Sequence, residues 1–127
     1  MGGNLVLENL RSLFANTEHV LVEDKWMSHD RFLHRLKHMD LGMQVSLSET
    51  FSIVAADMVN VGIPIVVSPE ITWASFVSKV APTNSESIVR GLERAYRFSS
   101  INVASNRQCL KSYSRESKKV WLDFLYE

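Results

Sequence analysis

Apolar positions along the chain switch between two periods. From Asn4, a fair N-cap, the residues Val6, Leu10, Leu13 and Phe14 recur at helical spacing. "HVLV" (His19–Val22) is a short apolar run of strand length. Ser28 can cap a second helix whose face is Phe32, Leu33, Leu36 and Met39. "LGMQV" (Leu41–Val45) reads as a strand, with Gly42 marking a close backbone approach. Ser52 to Val61 reads as a helix stopped by Gly62 and Pro64. "IPIVV" (Ile63–Val67) is the strongest strand signal, and its proline stands first, where a missing N–H does least harm. "FVSKV" (Phe76–Val80) reads as a last strand. Thr83 with Glu86 spells a capping box, and Ile88, Val89, Leu92, Ala95 and Tyr96 line the helix behind it. Two further helices are expected, Ile101–Tyr113 and Arg115–Tyr126, the last burying Val120, Trp121, Phe124 and Leu125.

Strands apolar throughout, alternating with amphipathic helices, predict an α/β fold: a Rossmann-like parallel sheet of about four strands flanked by helices. At 127 residues, 1–127 reads as a single domain. Fourteen basic and fourteen acidic residues cancel, which argues against a general nucleic-acid or acidic-membrane surface. Cys109 is alone, so no internal disulfide forms and a reducing cytoplasm fits best. No run of eighteen apolar residues exists, so no membrane span is expected, and "MGGNLVLENLRSLF" lacks a basic leader.

The candidate chemistry lies in "SLSETFSIVAADMVNVGIPIVVS", Ser46 to Ser68. In parallel sheets, ligands sit beyond the C-terminal strand ends, where loops enter helices. The loop Ser46–Phe51 has that position. The first-turn amides near Phe51, Ser52, Ile53 and Val54 lack intrahelical partners and favour an anion such as phosphate. Asp57 lies over a turn further on among Ile53, Val54, Ala55, Ala56, Met58 and Val59. Its side chain leans back toward the helix start and can accept two hydrogen bonds from a ribose diol. Glu49 stands before the helix, on the other side of the same pocket. Taken alone, Asp57 also reads as a solvated helix edge or the partner of a nearby Lys or Arg, and Glu49 as an exposed loop acid. His34 and His38 have zinc-compatible spacing, but Arg31 and Arg35 share their face and oppose a cation, so a solvated face is the better reading. Trp26, Trp73 and Trp121 read as core or rim packing, with Trp73 nearest the loops that would hold a ligand. No metal or cofactor is expected.

"DLGMQVSLSETFSIVAADMVNVGIPIVVS" resembles the C-terminal-domain signature of retaining glycosyltransferases of the two-Rossmann (GT-B) fold, the group 1 type. Asp40, Ser46, Glu49, Phe51, Gly62, Pro64 and Val66 match that pattern, and Asp57 stands where its second Glu falls. The resemblance implies that Glu49 contacts the donor sugar, that the amides of Thr50, Phe51, Ser52 and Ile53 bind diphosphate, and that Asp57 holds the ribose hydroxyls. It assigns no catalytic residue. Thr50 and Ser52 replace two glycines of the pattern, and "PEITWASF" lacks the glycines and Glu that usually follow the strand. The family's phosphate-binding Arg and Lys, its first two strands and its acceptor domain have no counterpart here. The function implied is a glycosyltransferase-like domain binding a nucleotide-sugar donor, inactive by itself and partnered by an acceptor domain or second chain. The alternative is a non-catalytic Rossmann-like binding or interaction module.

In that fold's strand order, 3-2-1-4-5-6, the four strand signals are strands 3, 4, 5 and 6. With strands 1 and 2 missing, "HVLV" is expected to pair beside "LGMQV" through a right-handed crossover over Glu23–Asp40. Its own outer edge is then left free, and homodimerisation through that edge is expected.

Overall fold

The computed structural model describes residues 3–127. Five helices and two short strands follow in the order α1 (Leu5–Ala15), α2 (His29–Leu36), β1 (Gly42–Gln44), α3 (Ile53–Val61), β2 (Ile65–Val67), α4 (Ser85–Arg97) and α5 (Ser99–Tyr126), with a 3-10 turn at Phe76–Ser78. The chain is mostly helical, 58%, and its sheet has two parallel strands. The expectation of a four-stranded Rossmann-like sheet is therefore wrong. What survives is its middle: β1, the Glu49 loop, α3 and β2 in register, Gly42 opposite Ile65 and Gln44 opposite Val67.

That unit forms for local reasons. Ser52 caps α3, its hydroxyl accepting from the Ala55 N–H at 3.3 Å. Gly62, at φ 92°, ends it: the Gly62 and Ile63 N–H groups donate back to Val59 and Met58 carbonyls, a Schellman ending that favours glycine. Gly42 lets Met58 of α3 lie against β1, since a β-carbon there would collide with the Met58 sulfur. β2 is buried on both faces. Ile65 and Val67 pack with Ala55, Val59, Ile71 and Trp73, and Val66 packs with Val80 and Ala95 of α4. Two covered faces explain its unbroken apolar run.

Two expected strands fail for different reasons. His19–Val22 lies in the irregular connection between α1 and α2, beside no strand, with Val20 81% exposed. Its end is tethered instead, Glu23 to Arg11 at 2.7 Å and Asp24 to Arg35 at 2.9 Å. An apolar run of four residues becomes a strand only if an edge receives it, and none does. Phe76–Val80 turns into the 3-10 segment and touches the sheet at one bridge, Lys79 beside Val67. The remaining outer-edge groups of β2 are taken by a side chain. Asn102 of α5 accepts from the Ile65 N–H at 2.8 Å and donates to the Ile65 carbonyl at 3.0 Å. Ser78 and Asn106 close that network, with Asn106 also accepting from the Ser75 N–H. A buried amide thus stands in for a third strand.

The helical expectations hold in part. Ser28 and Asn4 cap as expected. The cap of α4 is Asn84, accepting from the Ser87 N–H at 3.0 Å, and not the Thr83–Glu86 box. The two expected C-terminal helices are one, and Val120, Trp121, Phe124 and Leu125 are exposed on it, not buried. α1 buries no residue. Trp26 is fully exposed, which corrects its assignment to packing, while Trp73 is buried.

Candidate functional site

The loop between β1 and α3 is held from three sides. The Ser46 N–H donates to the Ser68 hydroxyl at 3.3 Å. The Gln44 amide donates to Ser46 and, at 3.4 Å, to Glu49. The Trp73 indole N–H donates to the Phe51 carbonyl, and the Phe51 ring stacks on Tyr113 of α5 with centroids 5.3 Å apart. Phe51 is thus a half-buried anchor that fixes the entry of α3. Ser52 adopts φ 56°, a left-handed conformation that favours glycine. The strain of that turn is offset by its hydroxyl cap.

The six residues expected at a ligand are now placed. Glu49 is half-buried, and its carboxylate also accepts from the Thr50 N–H at 3.1 Å. The Thr50 amide is therefore satisfied inside the chain. The Ser52 hydroxyl takes the Ala55 amide, leaving those of Ile53 and Val54 with no partner among the described residues. Asp57 is bound to His29 at the start of α2, Nε2 to Oδ2 2.9 Å, with side-chain exposures of 62% for His29 and 13% for Asp57. His29 is a basic partner that the sequence pattern did not reveal: the two stand 28 positions apart, with the rest of α2, β1 and the Glu49 loop between them.

Phe51, Ile53 and Asp57 line one cleft of about 840 Å³ between α3 and α5. Arg107, Lys111, Tyr113 and Ser114 of α5 form its other wall. The guanidinium of Arg107 is engaged at the far end of α3, donating to the Val59 carbonyl at 3.3 Å and that of Asn60 at 3.5 Å. Lys111 lies a turn further along α5 and has no ion-pair partner among the described residues. Neither cation was legible as a site residue, because their spacing in sequence from Asp57 carries no motif. Glu49 does not line this cleft. A second cleft of about 760 Å³, lined by Asp40, Gly62, Pro64, Ser99 and Arg107, lies by the C-terminal end of α3 and contains none of the six.

His34 and His38 stand exposed with ring centroids 5.0 Å apart, and no group of three metal-ligating side chains gathers among the described residues. No helix among them is long and apolar enough to cross a membrane.

The structure defines a small helical protein built around one parallel βαβ unit, with a largely apolar cleft beside its helix that Asp57, Arg107 and Lys111 edge with charge. No family model, no curated protein and no solved structure matches the chain.

Proposed function

We propose that the chain is the donor-binding part of a glycosyltransferase-like protein, holding the diphosphate and ribose of a nucleotide-sugar at the amino end of α3. The observation that carries this reading is the cleft in which Ile53, Asp57 and the unpaired Lys111 meet. The free Ile53 and Val54 amides and the α3 dipole favour a phosphate. Lys111 supplies a cation of the kind the resembling family draws from elsewhere in its domain. Asp57 supplies acceptors for a ribose diol. The parent reaction is glycosyl transfer, with the acceptor bound by another domain or a partner chain. The lone Cys109 favours a cytoplasmic setting.

A second reading, a non-catalytic interaction module, draws support from the internal partners of Glu49 and Asp57. The two separate in an NMR titration with UDP, GDP or ADP at millimolar concentration. Donor binding requires that amides in Thr50–Val54 shift first, and that Asp57→Asn weakens the nucleotide by about 1.5–3 kcal/mol while inorganic phosphate binding barely changes. Shifts confined to α4 and α5, or none at all, leave the interaction module.

A further inference from the structure

Two stretches of backbone lack partners, and each offers what the other needs. From His19 to Ser28 the chain runs without a helix, turn or bend. No N–H or carbonyl between Val20 and Met27 takes part in a hydrogen bond among the described residues. The middle of this stretch, Val20–Val22, is apolar and β-branched at both ends, and Val20 and Val22 are exposed. The other stretch is the outer edge of β1. Gly42 and Gln44 turn their backbone groups to β2, while those of Leu41, Met43 and Val45 meet no partner among the described residues. Within one chain the two stretches stay apart. Glu23 is fastened to Arg11 of α1 and Asp24 to Arg35 of α2, which anchors the end of the segment to helices rather than to the sheet.

We infer that Val20–Val22 of one copy of this chain adds as a strand to the β1 edge of a second copy, and reciprocally, so that a two-fold pair carries two three-stranded sheets. The inference is independent of the donor-site reading. One contact satisfies both unpaired stretches and places Leu21 beside the exposed Met43. Charge sets the direction. Glu18, Lys25 and Asp40 are exposed and in no ion pair among the described residues. With Leu21 opposite Met43, parallel addition sets Glu18 beside Asp40, two like charges. Antiparallel addition sets Glu18 beside Ser46 and brings Lys25 to the Asp40 end of β1. The added strand is therefore antiparallel to β1.

Sedimentation equilibrium and disulfide trapping test this together. The wild-type chain should show a monomer–dimer equilibrium at up to millimolar concentration. Leu21→Pro removes the donor of the added strand and should weaken dimerisation about tenfold or more, since two inter-chain hydrogen bonds are lost per dimer. If that protein does not fold, the double variant Val20→Asp with Val22→Asp decides, because both side chains are exposed in the single chain; it should weaken the dimer as much. For trapping, Leu21→Cys and Met43→Cys are made separately with Cys109→Ser, which removes the native thiol. Oxidising a mixture of the two should give far more cross-linked dimer than either alone, as directly opposed residues of paired strands stand within disulfide reach. A strict monomer overturns the inference. So does a dimer that the segment variants leave unchanged. Cross-linking by Met43→Cys alone, as strong as in the mixture, overturns it in favour of two β1 edges meeting each other.

Discussion

Asn102 shows how much one side chain decides. Its amide satisfies both the N–H and the carbonyl of Ile65 while 3% exposed, and no buried side-chain polar atom among the described residues lacks a partner. Asn102→Ala strands two buried backbone groups and removes one hydrogen bond each from Ser78 and Asn106, which keep their bond to each other. Each unsatisfied group costs about 1–3 kcal/mol, so the variant should lose roughly 2–6 kcal/mol in urea unfolding. A loss below about 0.5 kcal/mol, the scale of ordinary surface changes, would mean that the amide is not a strand substitute. In sequence, Asn102 and Asn106 look like the polar side of a helix, because hydrogen bonding to a strand 37 residues away leaves no local pattern. Ser52 and Gly62 were legible by contrast. A helix start and a helix stop are local demands, written within a few residues of where they act, whereas the positive φ of Ser52 was not read from the sequence.

Elements divide in the same way. α3 and β2 form where expected because cap, stop signal and apolar run all agree. α1 forms as expected but docks weakly: it buries nothing and is tied down by the Arg11–Glu23 bridge. Hydrogen bonds from the Arg11 guanidinium, with its charge behind them, hold the Glu23 carboxyl below the usual carboxylate range. A lowered folded pKa means that this contribution is present above the unfolded value and is lost as pH falls through the folded one. An isolated helix of eleven residues is marginal in water. The helical Cα shifts of Leu5–Ala15 should therefore fade on acidification below the ordinary Glu range, before the shifts of α3 do. Glu23→Gln should show the weakened α1 already at neutral pH; an α1 equally helical in that variant would show that the bridge does not hold it. The joining of two expected helices into α5 has a simple cause. Ser114 is no breaker, and nothing in the body bends the chain there.

At the scale of the molecule, the sheet is left open. Among the described residues β1 has β2 on one side and no strand on the other, so no strand there pairs the outward N–H and carbonyl of Met43, and Met43 itself is 52% exposed. The repair by "HVLV" within the chain does not occur, so the free edge is that of β1 rather than that of His19–Val22. Edges of this kind pair with other chains. The exposed apolar side chains of α1 and the end of α5 add surface that favours burial. Sedimentation over a concentration series should show reversible self-association, and Met43→Pro, which removes an outward N–H, should weaken it. A strict monomer at high concentration would rule out pairing through this edge.

The amino-acid pattern alone determined the βαβ unit, its Gly62 stop and its Ser52 entry. All of these rest on interactions between near neighbours, or on an apolar run whose burial leaves a direct trace. Tertiary structure decided what each polar group meets. It gave Asp57 to His29, Glu49 to Gln44, the outer edge of β2 to Asn102, and the wall of the cleft to Lys111. It also denied "HVLV" a neighbour. A strand is a property of two segments, and whether the second one is within reach is settled by packing, which periodicity in one segment does not encode.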